Sequence, residues 1–129
     1  AEYMDRTNWS GTLGEGVENV IGNIFDGNTG SDIAANSAPW EFTLDLGAET
    51  TMLGANTRHW GSGYAPRSIE VLTSPDNATW KSHGTLAVSG GTQNWRFLKP
   101  VTARYLRYRV MSPNGRTDVT EFNIYVAKQ

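Results

Sequence analysis

From Trp40 to Leu46 the chain alternates without a break: Trp40, Phe42, Leu44 and Leu46 fall on one face, and Glu41, Thr43 and Asp45 on the other. Successive side chains of a strand point to opposite faces, so this stretch reads as a half-buried strand that Gly47 ends. The alternation returns over Ala103–Val110, where Leu106, Tyr108 and Val110 share a side. Weaker strand patterns run over Thr50–Trp60, Ser68–Thr73, Thr85–Val88, Asn94–Leu98 and Val119–Val126. Between them stand turn-forming clusters such as Gly61-Ser62-Gly63, Ser74-Pro75-Asp76-Asn77, Ser89-Gly90-Gly91 and Pro113-Asn114-Gly115. Residues 1–23 read as an irregular entry with at most a short helical turn through Val17, Val20 and Ile21, and Ala34–Pro39 reads as a loop. No amphipathic helix competes with the strands. About eight short strands separated by turns predict an all-β sandwich or barrel.

A chain of 129 residues is the size of one domain, here taken as 1–129, and is long enough to bury one core. A formal charge of -2 gives no electrostatic case for nucleic acid. No apolar run approaches the ~20 residues that a membrane-inserted helix needs. With no cysteine, disulfides, thiolate catalysis and zinc sites built on Cys are excluded. Catalysis has few actors. There are two histidines and no Gly-x-Ser-x-Gly elbow, and the acids are scattered over loops with no convergent pair. The chain is therefore expected not to be an enzyme.

Two stretches carry polar chemistry. Ile24–Ile33 leads from apolar residues into Asp26-Gly27-Asn28-Thr29-Gly30-Ser31-Asp32. Gly27 and Gly30 allow tight curvature, and the side-chain oxygens can either cap a turn or hold a hard cation. The second stretch is Arg58-His59-Trp60-Gly61-Ser62-Gly63-Tyr64, the densest cluster of aromatic and planar polar groups. An exposed aromatic plate with nearby guanidinium and amide groups suits a sugar ring and its hydroxyls. The alternative is that Trp60 packs under its loop and His59 is merely exposed. Trp40, Trp80 and Trp95 sit in strand patterns and read as core, and His83 as a turn residue. Arg104, Arg107 and Arg109 alternate with Tyr105 and Tyr108 and read as a solvated sheet face with cation–π packing.

Taken in order, several segments resemble one family. Asp26-Gly27-Asn28 with Ser31 and Ile33 is similar to its Asp-Gly…Thr-x-Trp element, and Leu44-Asp45-Leu46-Gly47 to its hydrophobic-Asp-Leu-Gly strand end. Ile69–Trp80 resembles its Ser-x-Asp-Gly-x-x-Trp hairpin. Ala103-Arg104-Tyr105-Leu106-Arg107 and Glu121–Tyr125 resemble its last strands. The chain is thereby identified as a member of the discoidin-like, coagulation factor V/VIII C-type domains, which include the bacterial family 32 carbohydrate-binding modules. The resemblance implies a jelly-roll β-sandwich of the galactose-binding-domain type. It also implies a structural calcium held by Asp26, Asn28, Ser31 and Glu121. The partner it implies is a glycan, bound by loops at one end of the sandwich with an Arg at about Arg58 among the contacts. The residues themselves suggest a rearranged site, with Trp60 or Tyr64 as platform, Arg58, His59 and Asn36 as donors and acceptors, and Asn114 and Arg116 as its far wall. The expected setting is a monomeric module of a larger secreted or surface bacterial protein, in an extracellular, cell-surface or periplasmic location. Departures are plain. Ser31 and Ile33 replace the family's usual Thr and Trp, and Ala34-Ala35-Asn36-Ser37 lacks the His and Trp of its galactose binders. A structural or adhesion module without sugar binding is the competing expectation.

Overall fold

A computed structural model describes residues 1–129. Nine strands follow in order: β1 (Glu2–Tyr3), β2 (Ser10–Leu13), β3 (Ile33–Ala35), β4 (Trp40–Arg58), β5 (Ser68–Ser74), β6 (Lys81–Ala87), β7 (Thr92–Ser112), β8 (Thr117–Val119) and β9 (Glu121–Val126). The only helical segments are 3-10 turns at Ile21–Ile24 and Ser62–Tyr64. The all-β expectation holds, and the sandwich it describes is built by two unusually long strands.

β4 and β7 run antiparallel for most of their length and pass through both layers. Their first shared leg pairs Trp40–Asp45 with Val110–Tyr105, flanked by β2 on one side and by β5 and β6 on the other. Their second leg pairs Thr50–Arg58 with residues 92–103, and β9 and then β1 extend that layer. Sequence reading had divided each long strand in two. Gly47 does not end β4: it takes φ +85° at a register shift between Asp45 and Thr50, where the chain turns the corner and continues. Only glycine adopts this backbone at little cost, and a Cβ here would lie 2.9 Å from the Asn8 carbonyl oxygen.

The two legs face each other across the core. Phe42, Leu44, Leu106, Tyr108, Val110, Ile69 and Val71 meet Ala55, Trp95, Phe122 and Ile124, all buried. Phe42 stacks on Tyr108 at 5.2 Å between centroids, and Phe122 meets both edge-on at 5.4 and 5.5 Å. Such offset and edge-on pairs suit aromatic quadrupoles. Trp9 belongs to the same buried core and meets Phe25 edge-on at 5.8 Å.

Several assignments change. Residues 1–23 contain β1 and β2, because the entry chain satisfies its backbone by pairing with two open edges, β1 on β9 and β2 on β4. Ile33–Ala35, expected to run from the Asp-Gly stretch into a loop, is a fully buried strand paired with β8, which starts two residues after the Pro113-Asn114-Gly115 turn. Trp80 is half-buried, with the Arg107 guanidinium 4.0 Å above its ring, and His83 lies within β6. The arginine row is a solvated face: Arg104 pairs with Asp45, Arg107 with Glu41, and Arg109 with Glu41 and Glu70.

Candidate functional site

β4 ends at Arg58, and the chain turns outward through Trp60 before re-entering at Ala65. Trp60 is 67% exposed and Tyr64 44%, with Arg58 also exposed, so the aromatic groups are presented and not packed beneath the loop. Arg58, Trp60, Thr92, Thr120 and Thr29 line a hollow of about 270 Å3, with His59 at its back. Thr29 comes from the Asp-Gly loop, which therefore borders the same end of the sandwich.

His59 is the exception among the expected contacts. Its ring is fully buried and turned inward, where Nδ1 donates to the Asp118 carbonyl oxygen at 2.6 Å. A carbonyl can only accept, so the proton sits on Nδ1 and leaves Nε2 facing the Thr57 hydroxyl at 3.5 Å. Burial pulls its pKa below the ordinary value. His59 is thus a neutral core histidine that braces the loop. As a sugar contact it is corrected by burial.

The bracing partner is Asp118 of β8, a residue the sequence reading passed over. Its Oδ1 accepts the Trp60 backbone amide at 3.0 Å, which fixes the point where the platform leaves the sheet. Burial pushes its carboxyl up to about 6, against the pull of that amide, with Asp32 adding to the rise and Arg116 opposing it. The 3.9 Å approach of His59 Nδ1 to Asp118 Oδ1 is therefore no ion pair, since burial disfavours charge on both groups.

Asn36, Asn114 and Arg116 form a second exposed cluster beside β8. The Arg116 guanidinium grips Glu18 at 2.8 and 3.0 Å and donates to Asn36 Oδ1 at 2.8 Å. Pairing of β3 with β8 brings Asn36 and Arg116 together although 80 positions separate them. Glu18 had no signal in spacing or composition. Its carboxylate occupies one edge of Arg116, so of this cluster Asn114 is the member with no side-chain hydrogen bond.

The Asp-Gly loop folds as an oxygen-lined turn. Asp26 Oδ1 accepts from the Asn28 amide at 2.8 Å and Oδ2 from Ser31 Oγ at 2.7 Å. The Ser31 hydroxyl also lies 3.1 Å from the Asn28 carbonyl and 3.5 Å from that of Asn23. Burial raises the Asp26 pKa, but these donors more than offset it and hold the carboxyl below the usual range. Glu121 reaches across from β9: Oε2 accepts from the Gly27 amide at 3.2 Å, and Oε1 from Arg6 at 2.8 Å. Asn28 Oδ1 turns the other way and accepts from the Gly30 amide at 2.8 Å, so it is the Asn28 main-chain carbonyl that faces Ser31. Two carboxylates, a hydroxyl and main-chain carbonyls are the donor set of a hard divalent cation such as calcium, so the residues fit one. Arg6 already offsets part of their charge.

With this geometry in hand, three comparisons place the chain. The sequence profile described as F5/8 type C domain matches residues 6–123. No curated protein matches the chain. Among solved structures, CpGH89CBM32-5 from Clostridium perfringens, in complex with GalNAc-beta-1,3-galactose, is 14% identical with a TM-score of 0.85, covering 97% of this chain and all of that one. The family 32 module of C. perfringens NanJ, in complex with galactose, is 13% identical with a TM-score of 0.82, covering 96% and 98%. The CBM32 of AlyQ, in complex with 4,5-unsaturated mannuronic acid, is 24% identical with a TM-score of 0.71, covering 98% and 100%. At these identities the likeness speaks for the fold.

Proposed function

Given that this chain belongs to the F5/8 type C domain family, we propose that it is a non-catalytic carbohydrate-binding module that takes a glycan at the loop end of the sandwich. The observation that carries this reading is the exposed Trp60 ring standing next to the exposed Arg58 over a hollow, with Tyr64 exposed on the same loop. The Trp60 face suits the C–H face of a pyranose, and Arg58, Thr29, Thr92 and Thr120 supply donors and acceptors for its hydroxyls. Asn36, Asn114 and Arg116 serve as the outer wall on the β8 side. Exposure of both aromatic groups favours this over an inert spacer, which would have no use for a bare tryptophan supported from behind.

Similar structures solved with galactose, GalNAc-galactose and an unsaturated mannuronic acid support a sugar as the ligand class and differ over which one. Ala34-Ala35-Asn36-Ser37 offers neither of the family's galactose-contacting aromatic and imidazole groups, so no sugar is carried over. The nearby imidazole and carboxylate, His59 and Asp118, are engaged in holding the loop, which supports binding without chemistry. Asp26, Asn28, Ser31 and Glu121 are read as the holders of a structural calcium, which would neutralise the paired carboxylates and lock the loop. The module is read as a monomeric part of a larger secreted or surface bacterial protein.

The test is a broad glycan array with calcium present, followed by calorimetry of the best hit with Trp60→Ala. Binding should be lost while the melting temperature stays within about 2 °C, since an exposed side chain contributes little to folding. Undiminished affinity would place the site elsewhere. A blank array at high protein concentration would overturn the glycan reading.

A further inference from the structure

A larger concavity than the hollow at Trp60 lies away from the loop end. It lies along the open edge of the sandwich, between β6 and a bulge of β7. The bulge exists because residues 97–100 of β7 are opposed by the single residue Leu53 of β4: pairing resumes only at Met52–Val101 after Gly54–Arg96. Phe97, Leu98, Lys99 and Pro100 are thereby lifted out as a flap, with Leu98 fully exposed at its tip. Under the flap is a cavity of about 670 Å3, and beside it a second of about 370 Å3. The two share Lys81, His83, Pro100 and Val101, so they form one continuous cleft.

The charge of this cleft runs against that of the chain. Its lining carries Lys81, Lys99 and Arg96 and no carboxylate, in a molecule of net charge -2. Neither lysine takes part in an ion pair. Acids on the neighbouring elements are committed elsewhere. Glu70 accepts from Ser82 and Arg109, and Asp76 accepts from the amides of its own turn. The floor and walls are ring-shaped and apolar: Phe97 with His83 edge-on at 5.0 Å, then Leu86, Val71, Pro100 and Trp80. Arg96 lines the cleft on the β7 side, and its guanidinium rests over the Tyr125 ring of β9 at 4.7 Å.

We propose that this cleft is a second binding site, for a strand of acidic polysaccharide whose charges are uronate carboxylates. An elongated, open cleft suits a chain passing through, where the hollow at Trp60 suits a single terminal ring. Apolar walls meet the C–H faces of successive pyranoses, and Lys81, Lys99 and Arg96, with no carboxylate in the same lining, meet the uronate charges. The proposal extends the glycan-binding reading to another surface and does not depend on the Trp60 site.

The experiment is a titration of the full 129-residue chain with hexagalacturonate, followed by amide chemical shifts. Maltohexaose serves as a neutral strand of equal length, and a carrageenan oligosaccharide as a sulfated strand free of carboxylate. Hexagalacturonate should shift amides of residues 81–86 and 96–101, and its affinity should fall as salt is raised, because exposed charges are screened beyond about 10 Å at 0.1 M. Lys81→Ala with Lys99→Ala should weaken binding about tenfold or more, roughly the loss of two charge-assisted contacts. Lys81→Arg with Lys99→Arg should retain binding, and Trp60→Ala should leave it unchanged. Shifts confined to residues 58–64, equal binding of maltohexaose, binding of the carrageenan alone, or no shift at millimolar hexagalacturonate would each overturn the proposal. Loss of array binding on Trp60→Ala, with these shifts intact, separates the fate of the two sites.

Discussion

Asp118 holds a carboxylate where water scarcely reaches it, so that its oxygen can take the Trp60 amide. This arrangement has a stability consequence with a definite sign. Its folded pKa of about 6 lies above the ~3.9 of an unfolded aspartate, so between these values the folded state binds the proton more tightly. Stability should therefore fall as pH rises through that window, by at most about 3 kcal/mol. His59, pulled below its ordinary value, acts in the opposite direction on acidification, which makes the wild-type profile a composite. Asp118→Asn separates the two, because an amide oxygen still accepts from Trp60 and carries no charge to bury. The variant should be more stable than wild type in urea melts at pH 7.5, and the advantage should shrink at pH 4.5. An advantage independent of pH would show that Asp118 is not the titrating group. Nothing in the order of residues marks His59 or Asp118 as a pair, since they are 59 positions apart and only the β4 exit and β8 bring them together. Trp60 and Tyr64 were legible for the opposite reason: aromatic residues among glycines in a turn have no strand face on which to hide.

At the level of elements, what could be read depended on whether the signal was local. The alternation of Trp40–Leu46 and Ala103–Val110 is local and places the core correctly, with Phe42, Leu44, Leu106 and Tyr108 all buried. Continuity of β4 and β7 is not local, because whether a glycine ends a strand or bends it is decided by the strand alongside. Gly54 makes the point beside the β7 flap. It sits within β4, flanked by Arg96 of β7 and Tyr125 of β9, and a Cβ there would lie 2.2 Å from the Trp95 carbonyl oxygen. Real Cβ atoms do not approach so closely, so one of the two central strands has to give way. Gly54→Ala should cost about 2 kcal/mol or more, the range of overpacked interior sites, although alanine is normally the milder residue. A loss below about 0.5 kcal/mol in denaturant melts, typical of surface changes, would mean that the flap absorbs the methyl group freely. In that case the flap is soft, and the cleft it covers should also change shape on binding.

Across the whole molecule, the two ends of the chain and its earliest loop are tied at Glu121. β9 reaches this residue after nearly the full length of the chain, and there it meets Arg6 near the start and Gly27 in the Asp-Gly loop. Glu121 is also in register with Arg58, and the neighbouring Thr120 amide donates to the Arg58 carbonyl at 2.8 Å. The proposed calcium turn and the base of the proposed sugar platform therefore share one strand end. Arg6 alone leaves the pair of Asp26 and Glu121 with excess negative charge, and a divalent cation bound by Asp26, Ser31, Glu121 and nearby carbonyls would remove it. Binding confined to the folded state stabilises by mass action, by about 2.7 kcal/mol when free calcium is a hundredfold above its dissociation constant. For a domain of this size that is a rise of roughly 5–15 °C in melting temperature. Melts in millimolar calcium and in chelator should differ on that scale for the wild type. They should nearly coincide for Glu121→Gln, which keeps the shape but removes one charge. Because the same strand end positions Arg58, chelator should also weaken glycan binding at Trp60 while leaving the β6–β7 cleft unaffected. Identical melts of the wild type in both buffers would remove calcium from the site. The turn would then be an Asx-type cap closed by Arg6 alone.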